Sequence, residues 1–364
     1  MYNYNSCIMS NLEKTVVVTG ITGQDGSYMV DYLLDNTDLK IYGMVRRTSN
    51  LNTTNIFHFL NHSRFQLITG DLSDSQSIDN IVREIKPDYF INLAAQSFVG
   101  SSWQIPEQTF DIGAMGPLRC LEAIRKHAPN CKFYNAGSSE ELGNVDYYPQ
   151  DEKHPLKPRS PYGAAKAAAR HIVKVYRESY NLFAIQGLLY NHESERRGEE
   201  FVTRKITKAV ARIKKCIDNN EAFNPLELGN IDAKRDWSHA IDFVEGIWKM
   251  LNQESPKEHL LSSGETHTVR EFVELAFAEA DIIGKWDFVN GTETINEEFL
   301  LPIGNSIATL VKINTELYRP AEVDLLWGDS KNARINLPWL PKISFKELVT
   351  RMVKNDIFIE NCLK

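Results

Sequence analysis

The chain has 364 residues, 42 % of them hydrophobic and 24 % charged, with 41 Lys and Arg against 48 Asp and Glu for a formal charge of −7. These proportions exclude a disordered chain, a collagen and a disulfide scaffold. The mild acidity argues against a dedicated nucleic-acid binder, which needs a basic face for phosphates. Five widely spaced cysteines without a C-x-x-C read as reduced thiols, not as a zinc site. The N-terminus shows no signal-peptide pattern, and no run reaches the roughly 18 apolar residues that cross a bilayer. The expectation is a cytoplasmic chain without a membrane or nucleic-acid partner.

Short β-branched runs alternate with amphipathic segments through the first half. The run at 15–19 (TVVVT) suits a buried strand, and 25–36 follows it with helical spacing. Strands are expected at 40–45 and 65–69, then a helix over 73–86 that Pro87 stops. A strand at 89–93, a long helix over 107–127 and a strand at 132–135 follow. The stretch 161–180 opens with Pro and continues Ala-rich, a strong helix signal, and leads to a strand at 182–190. This alternation predicts an α/β fold: a doubly wound, Rossmann-like parallel sheet. Beyond Asn191 the pattern breaks into helical stretches at 201–217, 240–251 and 269–279. The expected organisation is a dinucleotide-binding domain over 1–190 and a smaller, mostly helical substrate domain over 191–364, with room for later segments to return to the sheet.

Gly20, Gly23 and Gly26 form a G-x-x-G-x-x-G between the first strand and the first helix, with Thr22, Gln24 and Asp25 between them. Glycines let the backbone approach a pyrophosphate, and the helix N-terminus offers free N–H groups. A carboxylate after the second strand would bond a ribose 2′-hydroxyl and select NAD. Arg46 and Arg47 stand there instead, so NADP is expected. Asp71 and Leu72, after the third strand, are candidates to hold the adenine. Leu93, Ala94, Ala95 and Ser97 place small residues where the cofactor's backbone would pass. No metal site is expected: His58 and His62 share i, i+4 spacing but lack a zinc motif.

Tyr162 and Lys166 lie one helical turn apart at the start of the Ala-rich helix, which puts both side chains on one face. A neighbouring ammonium and the positive nicotinamide favour a phenolate, as a general base requires. Ser138 just past the fifth strand completes a Ser-Tyr-Lys set. In this order the parts resemble the extended short-chain dehydrogenase/reductases, in which such a triad is catalytic. The stretches TGITGQDGSY (19–28), VRRTSN (45–50), RSPYGAAK (159–166), NHESERRGEEFVTRKIT (191–207), LGNIDAKRDW (228–237) and YRPAEVDLLWGD (318–329) narrow the resemblance to the GDP-mannose 4,6-dehydratase family.

That resemblance implies the following. Tyr162 takes the C4-hydroxyl proton of GDP-mannose while hydride passes to NADP⁺. Glu140 removes the C5 proton, and water leaves C6 with acid assistance from Ser138 or Glu140. Hydride then returns to C6, giving GDP-4-keto-6-deoxy-mannose. Lys166 reaches the nicotinamide ribose, and His192 and Arg197 touch NADP. Asn191, Lys205, Arg235, Arg319 and Glu322 line the GDP-sugar pocket. A homodimer or homotetramer is also implied. The chain departs from the family in places: Ser138 replaces a Thr, Glu195 a Pro and Gln108 a Tyr. The loop S-E-L-Y-G reads Ser139-Glu140-Glu141-Leu142-Gly143, which leaves two glutamates in play, with Glu140 aligned to the base. The rival readings are a sugar-nucleotide epimerase or reductase and, in another class, a non-catalytic NADP-sensing protein.

Overall fold

Val16, Val17 and Val18 are fully buried, as expected of a strand covered on both faces. They belong to β1 (Thr15–Thr19), which leads through the glycine turn into α1 (Gln24–Asn36). The chain continues through β2 (Lys40–Val45), β3 (Phe65–Thr69), α2 (Ser75–Ile85), β4 (Tyr89–Asn92), α3 (Pro106–Phe110), α4 (Gly116–His127), β5 (Lys132–Ala136), α5 (Pro161–Tyr180) and β6 (Ala184–Leu189). The second half carries β7 (Asn191–Glu193), α6 (Val202–Asp218), β8 (Leu226–Leu228), β9 (Lys234–Arg235), β10 (Trp237–His239), α7 (Ala240–Leu251), β11 (Leu260–Leu261) and β12 (His267–Thr268). It ends with α8 (Val269–Ala278), β13 (Lys285–Phe288), β14 (Glu297–Ile303), β15 (Ser306–Ile313), β16 (Leu325–Leu326), α9 (Lys331–Asn336) and α10 (Phe345–Cys362). This computed structural model describes residues 13–363 other than 144–145, 290–295, 305, 319–320 and 322.

The main sheet is parallel and seven-stranded, in the order β11-β6-β5-β4-β1-β2-β3. The order reverses between β1 and β4, and ligands of open α/β sheets sit at such a switch point. One face packs on α1 and α7 through Met29, Leu33, Phe243 and Ile247. The other packs on α2, α4 and α5 through Ile78, Leu121, Ile124 and Val173. The strand β11 pairs with β6, so the chain does return to this sheet after leaving it at 190.

The helix expected over 107–127 is interrupted. Residues Asp111–Met115 form a π-turn, and the Gly116 N–H reaches Asp111 O. Pro117 follows directly and has no N–H to give, so the ladder widens just ahead of it. The second half holds more strand than its sequence indicates. A four-stranded sheet, β13-β14-β15-β8, packs under α6, α8 and α10 around Ile206, Phe272, Phe277, Val311 and Met352.

Candidate active site

Segments leaving the carboxyl edge of the sheet and segments of the second half together enclose a pocket of about 320 Å³. All four residues expected to be catalytic line it: Ser138, Glu140, Tyr162 and Lys166. Ser160 caps α5, accepting from the Gly163 N–H at 3.0 Å, and Pro161 starts the helix. This cap sets Tyr162 in the first turn. A Cβ on Gly163 would lie 2.5 Å from the Glu140 carbonyl, so only glycine lets the helix and the Glu140 turn approach this closely.

That turn is a single 3₁₀ turn, Ser139–Glu141, closed by a reciprocal capping box. The Ser138 hydroxyl accepts from the Glu140 N–H at 3.2 Å, and the Ser138 N–H donates to Glu141 at 2.8 Å. The geometry separates the two glutamates: Glu140 faces the pocket, whereas Glu141 is fully buried behind it. Burial pushes the Glu141 carboxyl up to about 7, against the opposing charges of Arg170 and Lys166.

Lys166 is buried and donates to Ala136 O at 2.6 Å, with its ammonium 5.8 Å from the Tyr162 ring centre. Burial brings it down to about 8, against the nearby carboxylates of Glu141 and Asp25. Tyr162 departs from the expected lowered value. Burial pushes its phenol up, and Glu140 and Glu141 add to this, while a hydrogen bond with Ser138 and the charge of Arg197 act the other way. The protein groups by themselves keep the phenol protonated.

At the cofactor end, Gly20 has φ +69, and a Cβ there would lie 2.7 Å from Ala94 N. A Cβ on Gly26 would lie 2.3 Å from Gly20 O. Gly23 stands at the N-cap of α1 without a side-chain cap, leaving first-turn N–H groups for anionic oxygens. This cradle fits a dinucleotide pyrophosphate. The Thr22 carbonyl accepts from Asn55. Gln24 is buried and ties the loop to the His192 carbonyl and the Ser194 hydroxyl. Arg46 and Arg47 are exposed at the end of β2. The Asp71 carboxylate accepts from the backbone and hydroxyl of Ser73, and the Leu72 side chain sits in the core against Gly116. Leu93, Ala95 and Ser97 line the pocket, while Ala94 N donates to the Thr19 hydroxyl.

His192 also lines the pocket, with one ring nitrogen 2.9 Å from Asp25 and the other 2.7 Å from Tyr190 O. Phe243 stacks on its ring at 4.4 Å. Arg197 lies 3.0 Å from the buried Glu193 carboxylate and 3.5 Å over the Phe201 ring. Glu193 and Phe201 were not singled out from the sequence. They fall inside a quoted motif, but only the fold shows that they hold Arg197.

Of the residues expected to bind substrate, Asn191, Lys205 and Arg235 line the far end. Arg319 and Glu322 lie outside the described residues. Asn191 Oδ1 is buried without a hydrogen-bond partner among the described residues, as fits a group kept for a polar ligand. Lys205 donates to Glu227 O at 2.8 Å, and Arg235 donates to Lys234 O at 2.9 Å. Elsewhere, His58 pairs with Asp31 at 2.6 Å, and His62 accepts from the Arg64 N–H. Among the described residues no group of three or more His, Cys, Asp or Glu is placed to hold a metal, and no helix is long and apolar enough to cross a membrane.

Comparison with known proteins bears on the fold and the family. A crystal structure of dTDP-glucose 4,6-dehydratase from Bacillus anthracis, in complex with NAD, superposes with a TM-score of 0.75 at 20 % identity. The match covers 96 % of this chain and 97 % of that one, and at this identity it establishes the fold. GDP-mannose 4,6 dehydratase of Drosophila melanogaster is 46 % identical over 353 residues, covering 95 % of this chain and 86 % of the relative. The human protein of the same name is 42 % identical over 360 residues, covering 96 % and 93 %. The family model described as GDP-mannose 4,6 dehydratase matches residues 17–352. A match running from the first strand into the last helix takes in both ends of the pocket, and the chain belongs to the GDP-mannose 4,6-dehydratase family.

Proposed function

We propose that this chain is a lyase that converts GDP-mannose to GDP-4-keto-6-deoxy-mannose, a step of deoxyhexose biosynthesis, using bound NADP. The observation that carries this reading is that Glu140 shares the pocket with Ser138, Tyr162 and Lys166 while Glu141 does not. A 4-epimerase or 4-reductase needs only the Ser-Tyr-Lys set. A dehydratase also needs a carboxylate for the C5 proton, and the pocket supplies one. A non-catalytic sensor needs none of the four.

A bound nicotinamide would supply an acceptor for the C4 hydrogen as hydride and a donor for C6, with no net redox change. Its positive charge would also offset the burial that raises Tyr162. The residues of this chain do the rest. Tyr162 takes the C4-hydroxyl proton, held in place by Ser138. Lys166 lies beneath the phenol. Glu140 removes the C5 proton, and Ser138 or Glu140 assists the departure of water from C6. Gly20, Gly23 and Gly26 cradle the pyrophosphate, with Thr22, Gln24 and Asp25 shaping that turn. Arg46 and Arg47 would meet the 2′-phosphate, and His192 and Arg197 would hold the nicotinamide half. Asn191, Lys205, Arg235, Arg319 and Glu322 serve the GDP-sugar.

The test is to incubate the chain with GDP-mannose and NADP⁺ and follow the nucleotide-sugar mass. Loss of one water without accumulating NADPH supports the reading, and an unchanged mass sinks it. Tyr162→Phe and Glu140→Gln should each slow turnover by about 100-fold or more, the usual share of a general acid–base group. Replacing Arg46 and Arg47 with Ala should weaken NADP binding about 10- to 100-fold, as for lost charge-assisted contacts, and leave NAD binding nearly unchanged. The exposed Phe110, Met115 and Val175 on the outer helices favour a homodimer or homotetramer, which sedimentation would distinguish from a monomer.

A further inference from the structure

Beneath the pocket a row of buried side chains crosses the carboxyl ends of four adjacent strands. Thr19 on β1 stands opposite Asn92 on β4, Asn92 opposite Asn135 on β5, and Asn135 opposite Gln186 on β6. Each is at most 2 % exposed. The donors run in one direction. The Leu93 and Ala94 N–H groups donate to the Thr19 hydroxyl, which donates to Asn92 Oδ1 at 2.6 Å. Asn92 donates to Asn135, and Asn135 donates to Gln186, each at 2.7 Å. Gln186 Nε2 then donates to two acceptors, Glu141 Oε1 at 2.8 Å and the Lys166 carbonyl at 2.9 Å. The Ser138 N–H ends on the same Glu141 oxygen.

A file of amides oriented one way needs a terminal acceptor with no proton to give at that atom, and Glu141 Oε1 is that acceptor. An apolar side chain at 141 would leave the Ser138 N–H and one Gln186 N–H without this acceptor. The extra glutamate of the Ser139–Gly143 loop therefore has a place in the fold.

We infer that Glu141 is a positioning residue of the reaction: as the acceptor ending the Thr19–Asn92–Asn135–Gln186 ladder, it fixes the Ser138–Glu140 turn and the Lys166 backbone relative to the cofactor crossing at Ala94. The inference rests on the proposed role of Ser138, Glu140 and Lys166. Its second carboxyl oxygen is buried without a hydrogen-bond partner among the described residues, and burial favours the protonated form. An amide matches a protonated carboxyl in shape and keeps Oε1 as acceptor, so Glu141→Gln should preserve the ladder.

The experiment compares the wild-type chain with Glu141→Met and Glu141→Gln, using GDP-mannose and NADP⁺. The Met variant should lose about 100-fold in kcat, the scale of an ångström-size misplacement of reacting groups. Its KM for GDP-mannose and its affinity for NADPH should change little. The Gln variant should stay near wild type. Hydrogen exchange at the Ser138 amide should speed up in the Met variant and not in the Gln variant. An unchanged kcat in the Met variant overturns the inference. A Gln variant as slow as the Met variant also overturns it, because the carboxyl would then act through its proton and not as an acceptor. If the wild-type chain does not dehydrate GDP-mannose, the functional reading fails. Hydrogen exchange still decides the ladder, with protection unchanged by Glu141→Met overturning it. Should Glu141→Met not fold, Gln186→Met cuts the ladder one rung earlier, and an unaltered kcat there overturns the inference equally.

Discussion

The His192 imidazole and the Asp25 carboxylate stand 2.9 Å apart, joining β7 to the first turn of α1 across 167 residues. The other ring nitrogen lies 2.7 Å from Tyr190 O, which can only accept. With both nitrogens donating, the ring is an imidazolium. Burial opposes that charge, but the charge and hydrogen bond of Asp25 outweigh it and raise His192 above its usual value. Burial likewise opposes the Asp25 carboxylate, and His192 overcomes this to hold it at about 2.

This pair predicts a pH window. The folded value of His192 lies above the ordinary 6.5, so its contribution is complete below that pH and fades as pH rises through the raised value. Asp25 is lowered from 3.8 to about 2, so its contribution is complete above 3.8 and is lost as pH falls toward 2. His192→Gln should therefore lower stability most between about pH 4 and 6.5, by roughly 1–2 kcal/mol, and much less in strongly alkaline buffer. Calorimetric melts of both chains across pH would check it. A gap that does not vary with pH would sink it.

The close approach of Gly163 to the Glu140 carbonyl gives a second prediction. Alanine is the better helix former by about 1 kcal/mol, yet its Cβ would meet backbone at 2.5 Å. Gly163→Ala should displace the Glu140 turn and cut kcat by about 10- to 100-fold. NADPH affinity should move far less, because the glycine cradle is separate. Steady-state kinetics beside a fluorescence titration would show the split, and an equal fall in both would contradict it.

Arg197 predicts a coupled pair. Glu193 is 2 % exposed and also accepts from the Thr203 hydroxyl at 2.6 Å. Arg197→Leu strands that carboxylate and should cost about 2–3 kcal/mol, with a large rise in the cofactor KM. Adding Glu193→Gln should restore part of the stability and none of the cofactor binding. Urea melts and titrations on the double-mutant cycle test this. Recovery of cofactor affinity in the double variant would refute a role for Arg197 at the dinucleotide.

The last helix is tied in by Asp356, which is buried on α10. It pairs with Arg204 at 2.7 Å and accepts from the Thr207 hydroxyl at 2.6 Å. Arg204 in turn donates to the Glu195 and Arg197 carbonyls. Asp356→Ala should destabilise the fold by about 3 kcal/mol, the usual result of removing one partner from a buried ion pair. Asp356→Asn, which keeps an acceptor for Thr207, should lose less. Equal urea midpoints for the two variants would contradict the assignment.

The sheet was legible because its strands are buried on both faces, so the VVV of TVVVT and the YFI of YFINL read as short apolar runs. Tyr162 and Lys166 were legible through helical spacing, and the glycine turn through its place between strand and helix. The outer sheet was not. Lys285–Phe288 is largely exposed along its length, and the two-residue strands are too short to show a period. The sequence put two glutamates side by side but could not say which would face the pocket. A single 3₁₀ turn decides that, because it sends Glu140 outward and Glu141 under the sheet edge.

The path of the chain has a consequence for how this architecture can change. After β6 it leaves the main sheet, comes back for α7 and β11, departs for β12 through β15, and returns to lay Ala333, Leu337 and Trp339 against α7. It then leaves again for α10. A cut near 190 would strip the sheet of its edge strand and its packing helix together. Neither lobe is a contiguous cassette that recombination could lift out and exchange. Exchange of a whole lobe is therefore closed as a route to new substrate preferences, which leaves changes made within the one interleaved chain.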